Sequence, residues 1–181
     1  MFEPHSIESA PAAAKPMLEG AKQALGFVPN LYANFAESPE LLEAYTTIGA
    51  IFDRTPLTPT ERQIILLTVS FQNNCDYCMA AHSTIAGMQQ VDGHIVTALR
   101  DGTPLTNPKL EALRTFTAQV VEGRGWVKPA DAVALVAAGY PKRTVLDVIL
   151  AVGMKTLSNY TNHIARTPLD HAFEPRAWTR P

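Results

Sequence analysis

Apolar residues recur at helical spacing along most of this chain. Leu41, Leu42, Tyr45, Ile48, Ile51 and Phe52 fall on one face of a segment that follows Pro39. Leu110, Leu113, Phe116, Val120 and Val121 do the same after Pro108. The run from Ile64 to Phe71 is apolar enough for a buried strand, but its total length, Pro59 to about Asn73, and its capped start predict a helix. From Val145 to Ile164 apolar residues lie on nearly every side, the pattern of a central or interface helix. Prolines punctuate these segments rather than breaking them. Ser38-Pro39, Thr58-Pro59 and Asn107-Pro108 each put a capping residue ahead of a proline, the order of a helix start, because proline lacks only an N–H that the first turn could not use. Thr58 is followed three residues on by Glu61, a capping-box pair. Gly139-Tyr140-Pro141 reads as one helix stopping and another starting. Asp92-Gly93 and Asp101-Gly102 flank a helix-like piece, and no hairpin signal separates alternating segments. The pattern predicts an all-α fold of roughly seven to nine helices.

The whole of 1–181 reads as a single domain, with no linker to divide it. A weak echo relates two parts: a helix start at Pro59 leads to Cys78 and His82, and one at Pro141 leads, at similar spacing, to Asn159 and His163. The SAPAAAKP stretch near the start and the PRAWTRP tail are expected to be irregular or draped over a neighbouring subunit.

Composition narrows the function. Hydrophobic residues make up 46% of the chain, which excludes disorder as its main state. Lys and Arg number 15 against 17 Asp and Glu, a formal charge of -2, which argues against a nucleic-acid binder. Only 18% of residues are charged, so some surface is expected to be buried between subunits. No apolar run reaches the length of a membrane span, and the first residues lack the basic start and apolar stretch of a signal peptide. A cytoplasmic location follows as the expectation.

Both cysteines sit in one segment, Asn73-Asn74-Cys75-Asp76-Tyr77-Cys78-Met79-Ala80-Ala81-His82, as C-x-x-C-x-x-x-H. Cysteines three apart on a helix are neighbours and can close a small, reducible disulfide. Asn73 or Asn74 is a good N-cap, which would set the pair in the first turns, where free N–H groups and the positive dipole end favour thiolate. His82 lies four residues after Cys78 on the same face, within reach of its proton. Asp76 disfavours a nearby thiolate and is expected to face solvent. A structural zinc site needs four ligands, and no second pair is present. Haem attachment needs histidine directly after the second cysteine, where Met79 stands. The remaining alternative is a pair of buried, inert cysteines.

The segment TPTERQIILLTVSFQNNCDYCMAAHSTIAG resembles the alkylhydroperoxidase D-like, or carboxymuconolactone decarboxylase, superfamily, and more narrowly its peroxidase-related branch. GFVPNLYANFAESPELLEAY upstream and NYTNHIARTPLD near the end agree, so the resemblance covers about residues 25–173. It implies an all-helical fold, assembly into trimers or hexamers, and thiol-based reduction of hydroperoxides without a metal or other cofactor, the disulfide being re-reduced by an external dithiol or a partner protein. By the family pattern Cys78 attacks the peroxide, Cys75 condenses with the resulting sulfenic acid, and His82 belongs to a proton relay. The dipole argument alone favours Cys75 as thiolate, because it is nearer the helix start; the spacing to His82 favours Cys78.

One position departs from that pattern. The family's relay often begins with a glutamate twelve residues before the first cysteine, and this chain has Gln63 there. Glutamine can orient a histidine but holds neither proton nor charge. Glu61 lies about 200° away round the helix and is explained by its capping role. His82 is therefore expected to be less basic than with a carboxylate partner, and the relay altered. Asn159, Asn162 and His163 form a polar cluster in an apolar helix, either at the site or at a subunit contact; Tyr77 is read as a pocket wall or a surface aromatic. Trp126 and Trp178 suit subunit contacts, and Met79, Met88 and Met154 read as packing. The reading is an enzyme, a thiol-dependent peroxidase or disulfide reductase. The alternatives are a cysteine-independent lactone decarboxylase-like lyase and a non-enzymatic redox-sensing oligomer, which the Gln63 departure keeps open.

Overall fold

The computed structural model describes residues 2–181, and among them every regular element is helical. The nine α-helices are α1 (Lys15–Leu25), α2 (Asn30–Phe35), α3 (Pro39–Asp53), α4 (Pro59–Gln72), α5 (Asp76–Met88), α6 (Gly93–Asp101), α7 (Pro108–Glu122), α8 (Pro129–Ala137) and α9 (Arg143–Ala165). A short 3-10 turn, Glu174–Arg176, follows α9. None of these helices is long and apolar enough to cross a membrane.

The starts anticipated from proline and capping residues are where the chain turns into helix. At α4 the Thr58 hydroxyl accepts from Glu61 N (3.2 Å) and the Glu61 carboxylate accepts from Thr58 N (2.8 Å), closing the capping box. At α7 Asn107 accepts from the N–H groups of Lys109 and Leu110 (3.0 and 3.2 Å). Ser38 occupies the N-cap position of α3 without a side-chain cap bond.

α4 is the hub. It packs against α5, α6, α7 and α9, and from Gln63 to Ser70 every residue is buried, which is why its sequence shows no amphipathic stripe. One core gathers Ile64, Leu67, Met79, Leu113, Phe116 and Val148 around α4, α7 and α9. A second gathers Leu18, Leu31, Phe35, Leu42 and Phe173 around Cys75, Tyr77 and Cys78. α5 runs along the seam, contributing Met79 to the first and the cysteines to the second.

The structure revises several expectations. The first half reaches Cys78 through two helices, α4 and α5, whereas a single helix, α9, carries Asn159 and His163, so the helix pattern of one part is not repeated in the other. The SAPAAAKP stretch covers this chain's own core: Ala10 and Ala14 are buried, and α1 begins at Lys15. The tail is irregular after Arg176, as expected, and lies on this chain's own surface: Trp178, half-buried, packs against Phe71 and donates its indole N–H to Arg100 O (2.9 Å). Trp126 and Met88 are exposed. Apolar side chains of α8 and α9, among them Val133, Leu146 and Ile149, also remain exposed.

Thr58→Ala should lower the unfolding free energy by about 1 kcal/mol, read as a shift of the urea midpoint at constant slope. An unchanged midpoint would show that the box does not hold the start of α4.

Candidate functional site

The link between α4 and α5 positions the cysteines. Asn74 adopts a left-handed conformation (φ 54°), Asn74 N donates to Phe71 O and Cys75 N to Ser70 O (3.0 and 2.9 Å). This is a Schellman stop, with asparagine in the place usually taken by glycine. Asn73 and Asn74 therefore end α4 rather than cap α5, contrary to the sequence-based expectation, and the N-cap of α5 is Cys75 itself. Cys75 is pinned by the end of one helix and the start of the next, and Cys78 stands in the first turn, where free N–H groups favour an anion. Asp76 faces solvent and accepts from Tyr77 N.

Both cysteines are free thiols and buried. Their sulfurs share one donor, Asn162 Nδ2, 3.2 Å from Cys78 Sγ and 3.8 Å from Cys75 Sγ. Ser158 Oγ lies 3.9 Å from Cys78 Sγ. One turn earlier on the same face of α9 is Lys155, fully buried, its Nζ without a hydrogen-bond partner in the chain. The spacing Lys155, Ser158, Asn162 keeps all three on the stripe that faces α5.

These neighbours divide the two thiols. Burial works against a charged Cys78, but hydrogen bonding from Cys75, the Lys155 charge and Ser158 outweigh it and bring its pKa down to about 5. Cys75 moves the opposite way: its hydrogen bond to Cys78, then burial, then the Cys78 charge hold its proton on. The pair is thus a thiolate at Cys78 beside a thiol at Cys75. The preference arises from Cys75 and from α9, not from the His82 spacing that suggested it.

His82 Nδ1 lies 3.2 Å from Gln63 Oε1, and Gln63 Nε2 donates to Gln89 Oε1 (3.1 Å). With the Gln63 amide N–H turned to Gln89, its oxygen accepts from the imidazole, leaving Nε2 of the neutral ring unprotonated. Burial, then the Lys155 charge, hold the His82 pKa well below the usual histidine range. Gln63 thus orients the ring without charging it.

Cys78, His82 and Lys155 line one cavity of about 500 Å³, walled by Leu25, Phe27, Tyr32, Tyr45, Tyr77 and Phe173, with the exposed Met88 at its edge. Tyr77 donates to Asp170, which also accepts from Asn30 N (3.0 Å), so the segment after α9 and the start of α2 hold that wall. Burial and the Cys78 charge raise the Tyr45 pKa and keep its phenol protonated. Of the residues singled out by sequence, Cys78, His82 and Tyr77 line this cavity, while Cys75, Gln63 and Asn162 contact the sulfurs or the ring from behind it. Asn159 instead accepts from Asn73 Nδ2 (2.9 Å), and His163 lines a polar hollow with Asp76, Asn162, Arg166 and Arg180. Lys155, Ser158 and Asp170 were not anticipated. The Lys-x-x-Ser-x-x-x-Asn spacing could have flagged the first two, but a lone lysine in a helix is ordinarily solvated. Among the described residues no cluster of three or more His, Cys, Asp and Glu side chains could hold a metal ion.

The arrangement defines a helical protein with a buried dithiol at the base of an apolar cavity. Residues 39–117 match the model of the carboxymuconolactone decarboxylase family, and the fold is that of alkylhydroperoxidase D-like proteins. No curated protein matches the sequence. Among solved structures it is similar to the alkylhydroperoxidase AhpD core of an uncharacterized peroxidase-related protein from Ralstonia eutropha JMP134 (22% identity, 95% of this chain and 93% of that one, TM-score 0.85). A peroxidase-related protein from Silicibacter sp. TM1040 is also similar (22%, 92% and 90%, TM-score 0.80). So is a cysteine-to-alanine variant of the debrominase Bmp8 in complex with 2,3,4-tribromopyrrole (20%, 97% and 95%, TM-score 0.80).

Two measurements test the electrostatics. Only thiolate is alkylated, so Cys78 labelling by iodoacetamide should rise through about pH 5 and be flat near neutrality, with Cys75 unlabelled. Peptide mass spectrometry showing Cys75 labelled first would reverse the assignment. Gln63→Glu should raise the His82 pKa, since a carboxylate favours imidazolium; an unmoved NMR titration of His82 would show that Gln63 does not control the ring.

Proposed function

We propose that this protein is a thiol-dependent peroxidase acting on organic hydroperoxides. The observation that carries the reading is the division of the dithiol, a Cys78 thiolate beside a protonated Cys75, at the wall of a largely apolar cavity. The thiolate attacks the terminal peroxide oxygen. An S–O bond forms, the O–O bond breaks, and alkoxide leaves and is protonated to the alcohol. Cys75 then attacks the sulfenic acid at Cys78: the S–S bond forms, the S–O bond breaks, and hydroxide leaves with the Cys75 proton as water. Two electrons have passed from the cysteines to the peroxide. An external dithiol or protein thiol returns them. The apolar walls favour an alkyl or aryl hydroperoxide over hydrogen peroxide, because the organic group buries its surface there. The exposed apolar side chains of α8 and α9 support a homo-oligomer; we take it to be a trimer or hexamer in the cytoplasm.

The aromatic walls favour a second reading, reductive dehalogenation of a small ring. Cys78 would take the halogen as a positive equivalent while a proton replaces it on carbon, and Cys75 would expel halide as the disulfide forms. The debrominase similarity in fold is consistent with it.

Cumene hydroperoxide and a brominated pyrrole, each given to the pre-reduced protein, separate the readings. The expected result is one disulfide per hydroperoxide consumed, with loss of all reaction in Cys78→Ser and a trapped sulfenic acid in Cys75→Ser. Bromide release without hydroperoxide consumption would favour the second reading, and a Cys78→Ser variant as active as the parent would defeat both.

A further inference from the structure

The peroxidase reading leaves one requirement unmet. When the O–O bond of an alkyl hydroperoxide breaks, the departing alkoxide is a poor leaving group and needs a proton as it forms. Gln63 has no acidic proton to give. His82 is neutral and offers an unprotonated Nε2, so it can take a proton but not supply one at this step. Cys75 must keep its proton for the second half of the reaction. The phenol of Tyr77 donates to Asp170, which removes it as a donor to the cavity.

Burial holds the phenol protons of Tyr32 and Tyr45 on and makes both poor acids, which leaves Lys155 in the cavity wall. Lys155 is fully buried on α9, yet its Nζ has no hydrogen-bond partner within the chain. A buried polar group left unpaired is costly, and structures retain one where another species completes it. Lys155 lines the same cavity as Cys78 and His82, one turn before Ser158, the residue beside the Cys78 sulfur.

We infer that Lys155 is the proton donor to the leaving alkoxide in hydroperoxide cleavage, in addition to balancing the Cys78 charge. This rests on the peroxidase reading above. The sequence balances as follows. Cys78 thiolate bonds to the terminal oxygen, which keeps its own hydrogen and becomes the sulfenic acid. The O–O bond breaks, and the inner oxygen takes a proton from the Lys155 ammonium to leave as alcohol. Cys75 thiol then displaces the hydroxyl as water and closes the disulfide. The site ends with a neutral Lys155 amine and no thiolate. When an external dithiol reduces the disulfide, the regenerated Cys78 thiol returns its proton to the amine, restoring the charged pair. Proton donor and nucleophile are thereby recharged in one step.

The test is a comparison of leaving groups under single turnover, with disulfide formation in pre-reduced protein read by acid quench and mass spectrometry. A peroxy acid expels a carboxylate, which leaves without a proton; cumene hydroperoxide expels an alkoxide, which does not. The ratio of the two rates cancels any change in thiolate fraction. Lys155→Met should lower the ratio of cumene hydroperoxide to peracetic acid rate by about 100-fold. Lys155→Arg keeps the positive charge but cannot give up its proton, and should lower that ratio as well. In the parent protein, rates across alkyl hydroperoxides of increasing alkoxide basicity should fall only slightly, a measurement that depends on no variant. Equal slowing of both oxidants in Lys155→Met, or a steep dependence on alkoxide basicity in the parent, would overturn the assignment while leaving the peroxidase reading standing. A parent protein that forms no disulfide with either oxidant would overturn both.

Discussion

The electrostatic pairing of Lys155 with Cys78 is the constraint on which the site depends. Each group alone is misplaced. A cysteine among Leu31, Phe35 and Phe173 should keep its proton, since burial disfavours the thiolate. A lysine with no exposed surface and no hydrogen-bond partner should be expelled or neutralised. Together, and with the hydrogen bond from Cys75, they reverse one outcome: the thiolate becomes the favoured state of Cys78 even though burial opposes it. Burial first, and then the same charge, keep His82 neutral.

Backbone geometry makes the pairing possible. The stop at Asn74 turns the chain sharply enough that Cys75 ends one helix and begins the next. Cys78 then stands in the first turn of α5, opposite the stripe of α9 that carries Lys155, Ser158 and Asn162. Asn162 reaches both sulfurs, so the two cysteines are addressed as a unit. The hub helix α4 supplies Gln63 from the other side. Removing water from this junction strengthens each polar contact within it.

Gln63 decides what part the His82 imidazole can play. It keeps the hydrogen bond that orients His82 and removes the charge that would make the ring an acid. With an amide in that place, the neutral ring can only accept a proton. The compensating charge lies on a different helix, nearly a hundred residues along the chain from Gln63, beyond the reach of any local motif.

Much of this was legible in the sequence because it is local. Proline after Ser38, Thr58 and Asn107, the Thr58–Glu61 box, and apolar spacing of three and four fix where helices begin and which face turns inward, since these depend on residues within one turn. The C-x-x-C-x-x-x-H spacing set Cys75, Cys78 and His82 along the first half of one helix for the same reason, and the position of Gln63 marked it as a partner for the ring. The N-cap was misplaced because Asn74 is as suited to a left-handed helix stop as to a helix start, and only the path of the chain chooses. Which thiol carries the charge, where Asn159 and His163 point, and that Lys155 is buried were decided by tertiary structure alone. They depend on the packing of α9 against α5, a contact between segments some eighty residues apart, and electrostatics in a dry interior is set by distance in space rather than along the chain.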